Sequence, residues 1–284
     1  MFRRSDTRVV KVGSVQVGGG APVSVQTMCN VDPHDAAKLS EQIAACAAVG
    51  CDIIRLTVPD IEAAKVFGEV RKFSPIPMVA DIHFDYRCAL AAIEAGADAL
   101  RLNPGNIGSK ENVQAVARAA IAAAEGGASK IRINPGNIGS QDRVAAVADA
   151  CALKGVPIRI GVNAGSLERD LAAEVAAGER RAPLLAKSAM RHLKLLEDEG
   201  FNDVVISAKA SNVAETIEVY RILAETTDCP LHLGVTEAGT EEMGIIKSAV
   251  GIGSLLCDGI GDTIRVSLTA DVCKEVEAAK DLLS

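Results

Sequence analysis

Short β-rich runs alternate with longer Ala-rich segments of helical period along nearly the whole chain, and this βαβα rhythm leads to a parallel sheet covered by helices. Nine strand-like runs follow the N-terminus: VSVQTM (23–28), DIIRLTV (52–58), PMVADIH (77–83), ALRLNP (99–104), KIRINP (130–135), PIRIGV (157–162), DVVISAK (203–209), PLHLGVT (230–236) and TIRVSL (263–268). Helical segments fill the gaps, among them Ala36–Val49, Asn112–Glu125 and Ala182–Glu199. The last carries Leu185, Ala189, His192, Leu193 and Leu196 at spacings of three and four. Ahead of the first run, VVKVGSVQVGGG has the alternation and glycine turns of a short hairpin, which we place outside the barrel, across its amino-terminal mouth.

No Pro- or Ser-rich linker and no charge block divides the 284 residues, so the reading is one domain over 1–284, an α/β fold of TIM type, a (β/α)8 barrel. Nine runs are one too many. The surplus has a visible origin, because RLNPGNIGS (101–109) recurs as RINPGNIGS (132–140), with Val113 and Val116 matched by Val144 and Val147. That is one duplicated βα unit, and two copies are too few for a solenoid. A ninth strand breaks the alternation of interior layers and changes the shear that closure requires. The two outcomes are a strained nine-unit barrel and an eight-strand barrel with one βα unit packed at its side, and the second is the expectation. The copy next to PIRIGV, with Arg132, stays in the barrel and Arg101 is the spare.

Composition narrows the function. With 49% hydrophobic and 24% charged residues the chain can bury a large core. Aromatic residues make up 2%, Trp is missing, and the formal charge is −7, so nucleic acid finds neither stacking platforms nor a basic surface. No stretch approaches the roughly 18 to 20 apolar residues of a membrane span, and no apolar region follows Arg3 and Arg4. A cytoplasmic location is expected. Eight cysteines include no C-x-x-C pair, so neither a zinc site nor an iron–sulfur cradle is visible, and they read as small reduced core residues.

Chemistry gathers on the strands. Side chains of a barrel strand alternate between the helix layer and the interior, and reactive groups collect at the carboxyl ends. Here polar pairs fall two residues apart: Asp81/His83, Arg101/Asn103, Arg132/Asn134, Ser207/Lys209 and Arg265/Ser267, with Arg159 and Asn163 four apart on one parity. Arg55, Arg101, Arg132, Arg159, Lys209 and Arg265 thus face only Asp81 and Glu237 as acidic partners near the same rim. Unpaired buried charges cost several kcal/mol each, so a multiply anionic substrate such as a diphosphate is the natural neutraliser, and Arg forks suit phosphate oxygens. Turns N-P-G-N (103–106 and 134–137) and N-A-G-S (163–166) add backbone N–H groups at helix starts. His83 beside Asp81 can carry or orient a proton, and Glu237, just after a strand, can serve as acid or base. His232 reads as structural, and His34 and His192 carry no function.

At these residues the sequence resembles the barrel domain of bacterial 4-hydroxy-3-methylbut-2-en-1-yl diphosphate synthases. The segments that carry the resemblance are VSVQTM, ADIHFDYRCAL, LRLNPGNIGS, PIRIGVNAGSLERDL, ISAKASNV, PLHLGVTEAGT and GIGDTIRVSLT, from about Val23 to Asp271. It implies a reductive opening of 2-C-methyl-D-erythritol 2,4-cyclodiphosphate in the non-mevalonate isoprenoid pathway. A hydroxyl leaves as water, and two electrons pass from flavodoxin or ferredoxin through a [4Fe-4S] cluster. It further implies substrate ligands at Arg55, Asp81, His83, Arg101 or Arg132, Arg159, Asn163, Lys209, Arg265 and Ser267, and a proton-handling role for Glu237.

The sequence departs from the family pattern in two ways. It has two RINPGN-type units where the family has one, and it stops at Ser284, without the smaller cysteine-bearing domain that holds the family's cluster. In the family that domain covers the barrel mouth of the partner in a homodimer. The resemblance thus implies a substrate-binding barrel that binds no cofactor itself and is inactive alone. The readings beside it are a phosphate-ligand binding module, or another metal-free barrel lyase or pterin-type transferase.

Overall fold

The computed structural model describes residues 2–83, 85–102, 121, 130–133, 141–163, 165, 167–236 and 239–284. Its strands are β1 (Val10–Val12), β2 (Val15–Val17), β3 (Ser24–Met28), β4 (Ile53–Thr57), β5 (Met78–Ile82), β6 (Ala99–Leu102), β7 (Lys130–Ile133), β8 (Ile158–Asn163), β9 (Val204–Lys209), β10 (His232–Leu233) and β11 (Thr263–Ile264). From β3 onward they form one parallel sheet in the order β10-β11-β3-β4-β5-β6-β7-β8-β9. A parallel bridge between Ile206 and Leu231 links β9 back to the approach to β10. Helices follow the strands, including Ala36–Ala48, Ile61–Arg71, Tyr86–Glu94, Gln141–Lys154, Arg181–Glu197, Val213–Thr226 and Val272–Asp281. The architecture is a TIM-type α/β barrel.

The strand count differs from the eight expected. Both copies of the duplicated motif supply a strand, with β6 against β7 in the register Ala99↔Lys130, Leu100↔Ile131, Arg101↔Arg132. β6 also pairs with β5, and β7 with β8. The physical reason is that each copy satisfies its backbone on both edges in the ladder and buries Leu100 or Ile131 completely. Expulsion of either would bare those groups. The helix expected over Asn112–Glu125 lies outside the described residues except Ile121, which is half-buried against the core.

Two parities of side chain build two cores. Helix-facing residues such as Ile54, Leu56, Ala80, Ile82, Ile158, Ile160, Val204 and Ile206 pack under the helices, whose own apolar stripes, for example Leu39, Ile43 and Cys46, meet them. The near-continuous burial of these strands is what a parallel sheet covered by helices requires. On the other parity, Ile53, Val79, Ala99 and Val205 join Val10, Val12 and Val17 in a smaller interior cluster. The β1–β2 hairpin therefore plugs the amino-terminal mouth. Its two-residue turn places Gly13 at φ +57°, a conformation glycine adopts without steric cost.

Aspartates set the strand stagger. Asp52, Asp98 and Asp262 each directly precede a strand, and each accepts a hydrogen bond from a backbone N–H where the neighbouring strand begins: Val25 (2.7 Å), Met78 (2.9 Å) and Leu231 (2.8 Å). At the opposite end Asp35, Asp60, Asp85, Asn212 and Asp271 cap helices through their side chains. With one mouth plugged and the strand ends fixed, the polar residues of the interior parity lie towards the carboxyl mouth.

Candidate anion-binding site

Register dictates which side chains meet. Asp81 lies opposite Arg101, Arg101 opposite Arg132, and Arg132 opposite Arg159, around three consecutive strand pairs. Asn163 at the end of β8 pairs with Lys209 at the end of β9. Arg55, Arg101, Arg132, Arg159, Asn163, Lys209, Arg265 and Ser267 line one cavity of about 200 Å³, while Asp81 and His83, also expected as substrate ligands, do not line it. Gly161, Ser207, His232 and Thr236 complete much of its wall.

Asp81 is fully buried and anchors one side. Arg55 Nε stands 3.0 Å from its Oδ2, and Arg101 Nη1 donates to its Oδ1 at 2.5 Å. Burial pulls the Asp81 carboxyl upward, but Arg55, Arg101 and His83 outweigh it and hold the group below the usual carboxylate range. Arg55 also donates to the Met28 thioether, from Nη2 at 2.8 Å. His83 Nε2 is 3.1 Å from Arg101 Nη1 and 3.6 Å from Asp81 Oδ1. A guanidinium has no lone pair to offer. Any hydrogen bond between the two is therefore one that Arg101 donates.

Across the cavity no carboxylate among the described residues is hydrogen-bonded to a cation, although buried Glu275 attracts Arg265. Arg132 Nη2 donates to the Gly161 carbonyl at 3.2 Å, but Arg132 Nη1, Arg159 Nε and Nη1, and Arg265 Nε are buried with no hydrogen-bond partner among the described residues. Burial first, then repulsion from Arg101 and Arg159, pushes Arg132 down to about 9. Arg159 falls to about 10 through burial and Arg101, while Lys209 is held well below its ordinary value by burial and by Arg265, Arg159, Arg55 and Arg132. Guanidinium groups keep their protons at neutral pH. The cavity thus concentrates positive charge and unused N–H donors in a protein of net charge −7.

Three features escaped sequence reasoning. A Cβ on Gly161 would sit 2.6 Å from Arg132 Nε, and one on Gly234 would sit 2.5 Å from Lys209 Nζ, so both glycines make room for cations. A glycine inside a strand pattern was the available signal. His232, read as structural, is a buried cavity-lining residue with Nδ1 3.3 Å from Thr263 Oγ1. Met28 as an acceptor for Arg55 had no signal in the sequence. Arg101, expected to be spare, is instead the arginine that holds Asp81. Asn103, Asn134 and Glu237 lie outside the described residues.

The cysteines of the described residues are not gathered as a ligand set. Among the described residues no three His, Cys, Asp or Glu side chains gather as ligands, and Cys46 Sγ and Cys273 Sγ stand 3.8 Å apart. Burial pushes Cys29 and Cys51 up to about 12, the reverse of what a thiolate ligand needs. This donor set does not fit a [4Fe-4S] cluster, which takes four thiolates. Among the described residues no helix is long and apolar enough to cross a membrane.

The fold and the cavity define a TIM-type barrel with an anion-binding interior at its carboxyl mouth. Residues 7–123 and 116–280 match the family model described as the GcpE TIM-barrel domain, and the chain belongs to that family. A relative from Symbiobacterium thermophilum, named 4-hydroxy-3-methylbut-2-en-1-yl diphosphate synthase (flavodoxin), is 48% identical over 283 residues, which are 100% of this chain and 68% of the relative. One of the same name from Clostridium acetobutylicum is 48% identical over 282 residues, 99% of this chain and 71% of the relative.

Solved structures share the fold at low identity. Dihydropteroate synthase from Xanthomonas albilineans superposes with a TM-score of 0.57 at 15% identity, covering 97% of this chain and 95% of that one. A phospho-2-dehydro-3-deoxyheptonate aldolase from Thermotoga maritima gives 0.56 at 11%, covering 100% of this chain and 74% of that one.

Proposed function

We propose that this chain holds the substrate for the reductive ring opening of 2-C-methyl-D-erythritol 2,4-cyclodiphosphate to 4-hydroxy-3-methylbut-2-en-1-yl diphosphate, an oxidoreductase step of isoprenoid biosynthesis. The observation that carries this reading is the set of buried, unpartnered guanidinium N–H groups on Arg132, Arg159 and Arg265 around one small cavity. Phosphate oxygens are the acceptors that suit them. Arg55 and Arg101, fixed by Asp81, and Lys209 supply the remaining positive charge, while Asn163 and Ser267 supply neutral polar groups.

In the overall step two electrons and a proton enter, a ring C–O bond to phosphate breaks, and a hydroxyl leaves as water. Asp81 sets the position of Arg101 and, through it, of His83. Glu237 is the proposed proton donor. Flavodoxin, which the relatives carry in their name, is the proposed electron source, with ferredoxin as the alternative. The family cluster and the homodimer belong to this reading too, with the cluster held outside the residues described here.

Calorimetric titration with the cyclic diphosphate tests the reading. Binding by the wild-type chain that is weakened roughly 10- to 150-fold in Arg159→Ala is expected. Product formation on addition of a reconstituted cluster domain and a reductant is the second expected result. Absence of binding at millimolar substrate would sink it.

A further inference from the structure

Among the cations that line the arginine chamber, Lys209 alone can shed its proton and become a nucleophile, since guanidinium groups keep theirs. It closes β9, opposite Asn163 at the end of β8, and lines the cavity of about 200 Å³. Gly234, directly after β10, makes room for the amine, because a Cβ there would stand 2.5 Å from Nζ. Among the described residues no carboxylate pairs with Nζ and no acceptor takes a hydrogen bond from it. Lysines on the outer surface differ in this respect. Lys38, Lys65 and Lys194 reach Asp35, Glu62 and Asp198 at 2.9, 2.9 and 2.7 Å. Burial first, then Arg265, Arg159, Arg55 and Arg132, disfavour the ammonium form of Lys209.

We infer that Lys209 is a nucleophilic amine that condenses with small aldehyde- or ketone-bearing phosphate monoesters, the phosphate seated on the arginines and the carbonyl carbon at Nζ. This rests on the anion-binding reading of the chamber and adds to it a group that forms a covalent bond. The amine lone pair attacks the carbonyl carbon, a C–N bond forms, and a proton passes from nitrogen to oxygen to give a carbinolamine. Loss of that hydroxyl as water leaves a C=N bond without any change of oxidation state. Desolvated lysines beside other cations are the amines that do this at neutral pH. The phosphate does not quench the amine. Among the described residues Asp81 and Glu275 are the carboxylates that offset the five arginines of the chamber, which leaves three positive charges in excess. A phosphate monoester brings at most about two negative charges, so the amine still lies in a positive field. Carbonyl phosphates are therefore held by a reversible covalent bond besides their ion pairs, and they exclude the cyclic diphosphate from the same arginines.

The test treats this chain with glycolaldehyde phosphate and sodium cyanoborohydride, which reduces the imine to a stable secondary amine, and locates the label by peptide mass spectrometry. At about pH 7.5 an ordinary lysine, with a pKa of about 10.4, is roughly one-thousandth free amine. Label on Lys209 is expected to exceed that on Lys38, Lys65 or Lys194 by about tenfold or more, and to rise less steeply than theirs with pH. Glycolaldehyde, which lacks the phosphate anchor, is expected to label Lys209 about tenfold less, and excess pyrophosphate to protect it. Lys209→Met is expected to lower the total label to that of the surface lysines. The peptide map of the wild type serves if that variant does not fold. Calorimetry with pyrophosphate on the same preparation separates the two readings. Pyrophosphate that binds while Lys209 takes no more label than the surface lysines overturns the inference alone. Absence of pyrophosphate binding overturns the anion-binding reading, and the inference with it.

Discussion

Arg101 and Arg132 stand opposite each other across β6 and β7, at the same position of two copies of one motif, and only Arg101 has a carboxylate partner among the described residues. Asp81 holds Arg101, whereas Arg132 leans into the space that Gly161 leaves open and donates to its carbonyl. Duplication has thus given one arginine a structural tie and left its twin with a buried, unpartnered Nη1 that faces the chamber. The division fits a site in which one side is braced and the other is free to meet an anion.

The braced side predicts a stability effect. Asp81→Asn leaves Arg55 and Arg101 without a counter-charge and is expected to cost about 3–5 kcal/mol, the usual penalty for breaking a buried pair. Because Asp81 sits below its unfolded value, its contribution is complete above about pH 4 and is lost as pH falls through the carboxylate range. The gap between the melting temperatures of wild type and variant should narrow as pH falls from 7 to 3. A constant gap across that range would show that the carboxylate charge is not what holds the arginines.

The open side predicts the opposite. Arg159→Ala and Arg265→Ala are each expected to weaken diphosphate binding by about 1.5 to 3 kcal/mol, the range of a hydrogen bond to a charged group, with folding intact. Arg159→Met, which keeps most of the volume and removes a repelled charge, should raise the melting temperature of the ligand-free chain. Unfolding of all three variants would make these arginines structural.

Much of this site was legible because strand residues alternate with a period of two. Asp81/His83, Arg265/Ser267 and Ser207/Lys209 announce an inward face whatever the strand order. The hairpin plug was legible for the same reason, in the alternating valines of 9–17. Strand partners were not, because they depend on a stagger set by Asp52, Asp98 and Asp262 acting across neighbouring strands. Nothing local distinguishes Asp81 binding Arg101 from Asp81 binding Arg132. The strand number stayed hidden because two near-identical units carry equal strand patterns, and closure is decided by pairing on both edges rather than by either unit alone.

Lys209 predicts a proton-linked binding event. Burial and four arginines hold its ammonium well below the ordinary lysine value of about 10.4. Between the lowered value and the ordinary one the unfolded chain holds a proton that the folded chain lacks, so this group makes stability rise with pH across that window. A bound diphosphate reverses the repulsion and draws the proton back. Titrations at a series of pH values below the free-lysine value, in buffers of different ionisation enthalpy, should therefore show proton uptake on binding, and Lys209→Met should reduce it. Equal heats in all buffers for the wild type would place the Lys209 proton on the chain before ligand arrives.

Deletion of residues 101–131 splices the two copies in register and tests whether the ninth strand belongs to the working barrel. In the intact chain β6 is hydrogen-bonded on both edges and brings Arg101 to Asp81. After deletion Arg132 becomes the partner of Asp81, and the cations of the chamber fall from six to five. The surviving strand must also pair with β5 and β8 at once, in a narrower barrel whose interior cluster with Val10, Val12 and Val17 no longer contains Ala99 at its present position. A change of strand number alters the shear and tilt that closure requires. We expect a lower melting temperature and weaker pyrophosphate binding, the second because Arg132 is now tied to a carboxylate. A deletion variant that melts at or above the parent temperature and binds pyrophosphate equally well would make the extra unit a passenger and return the chamber to an eight-stranded barrel.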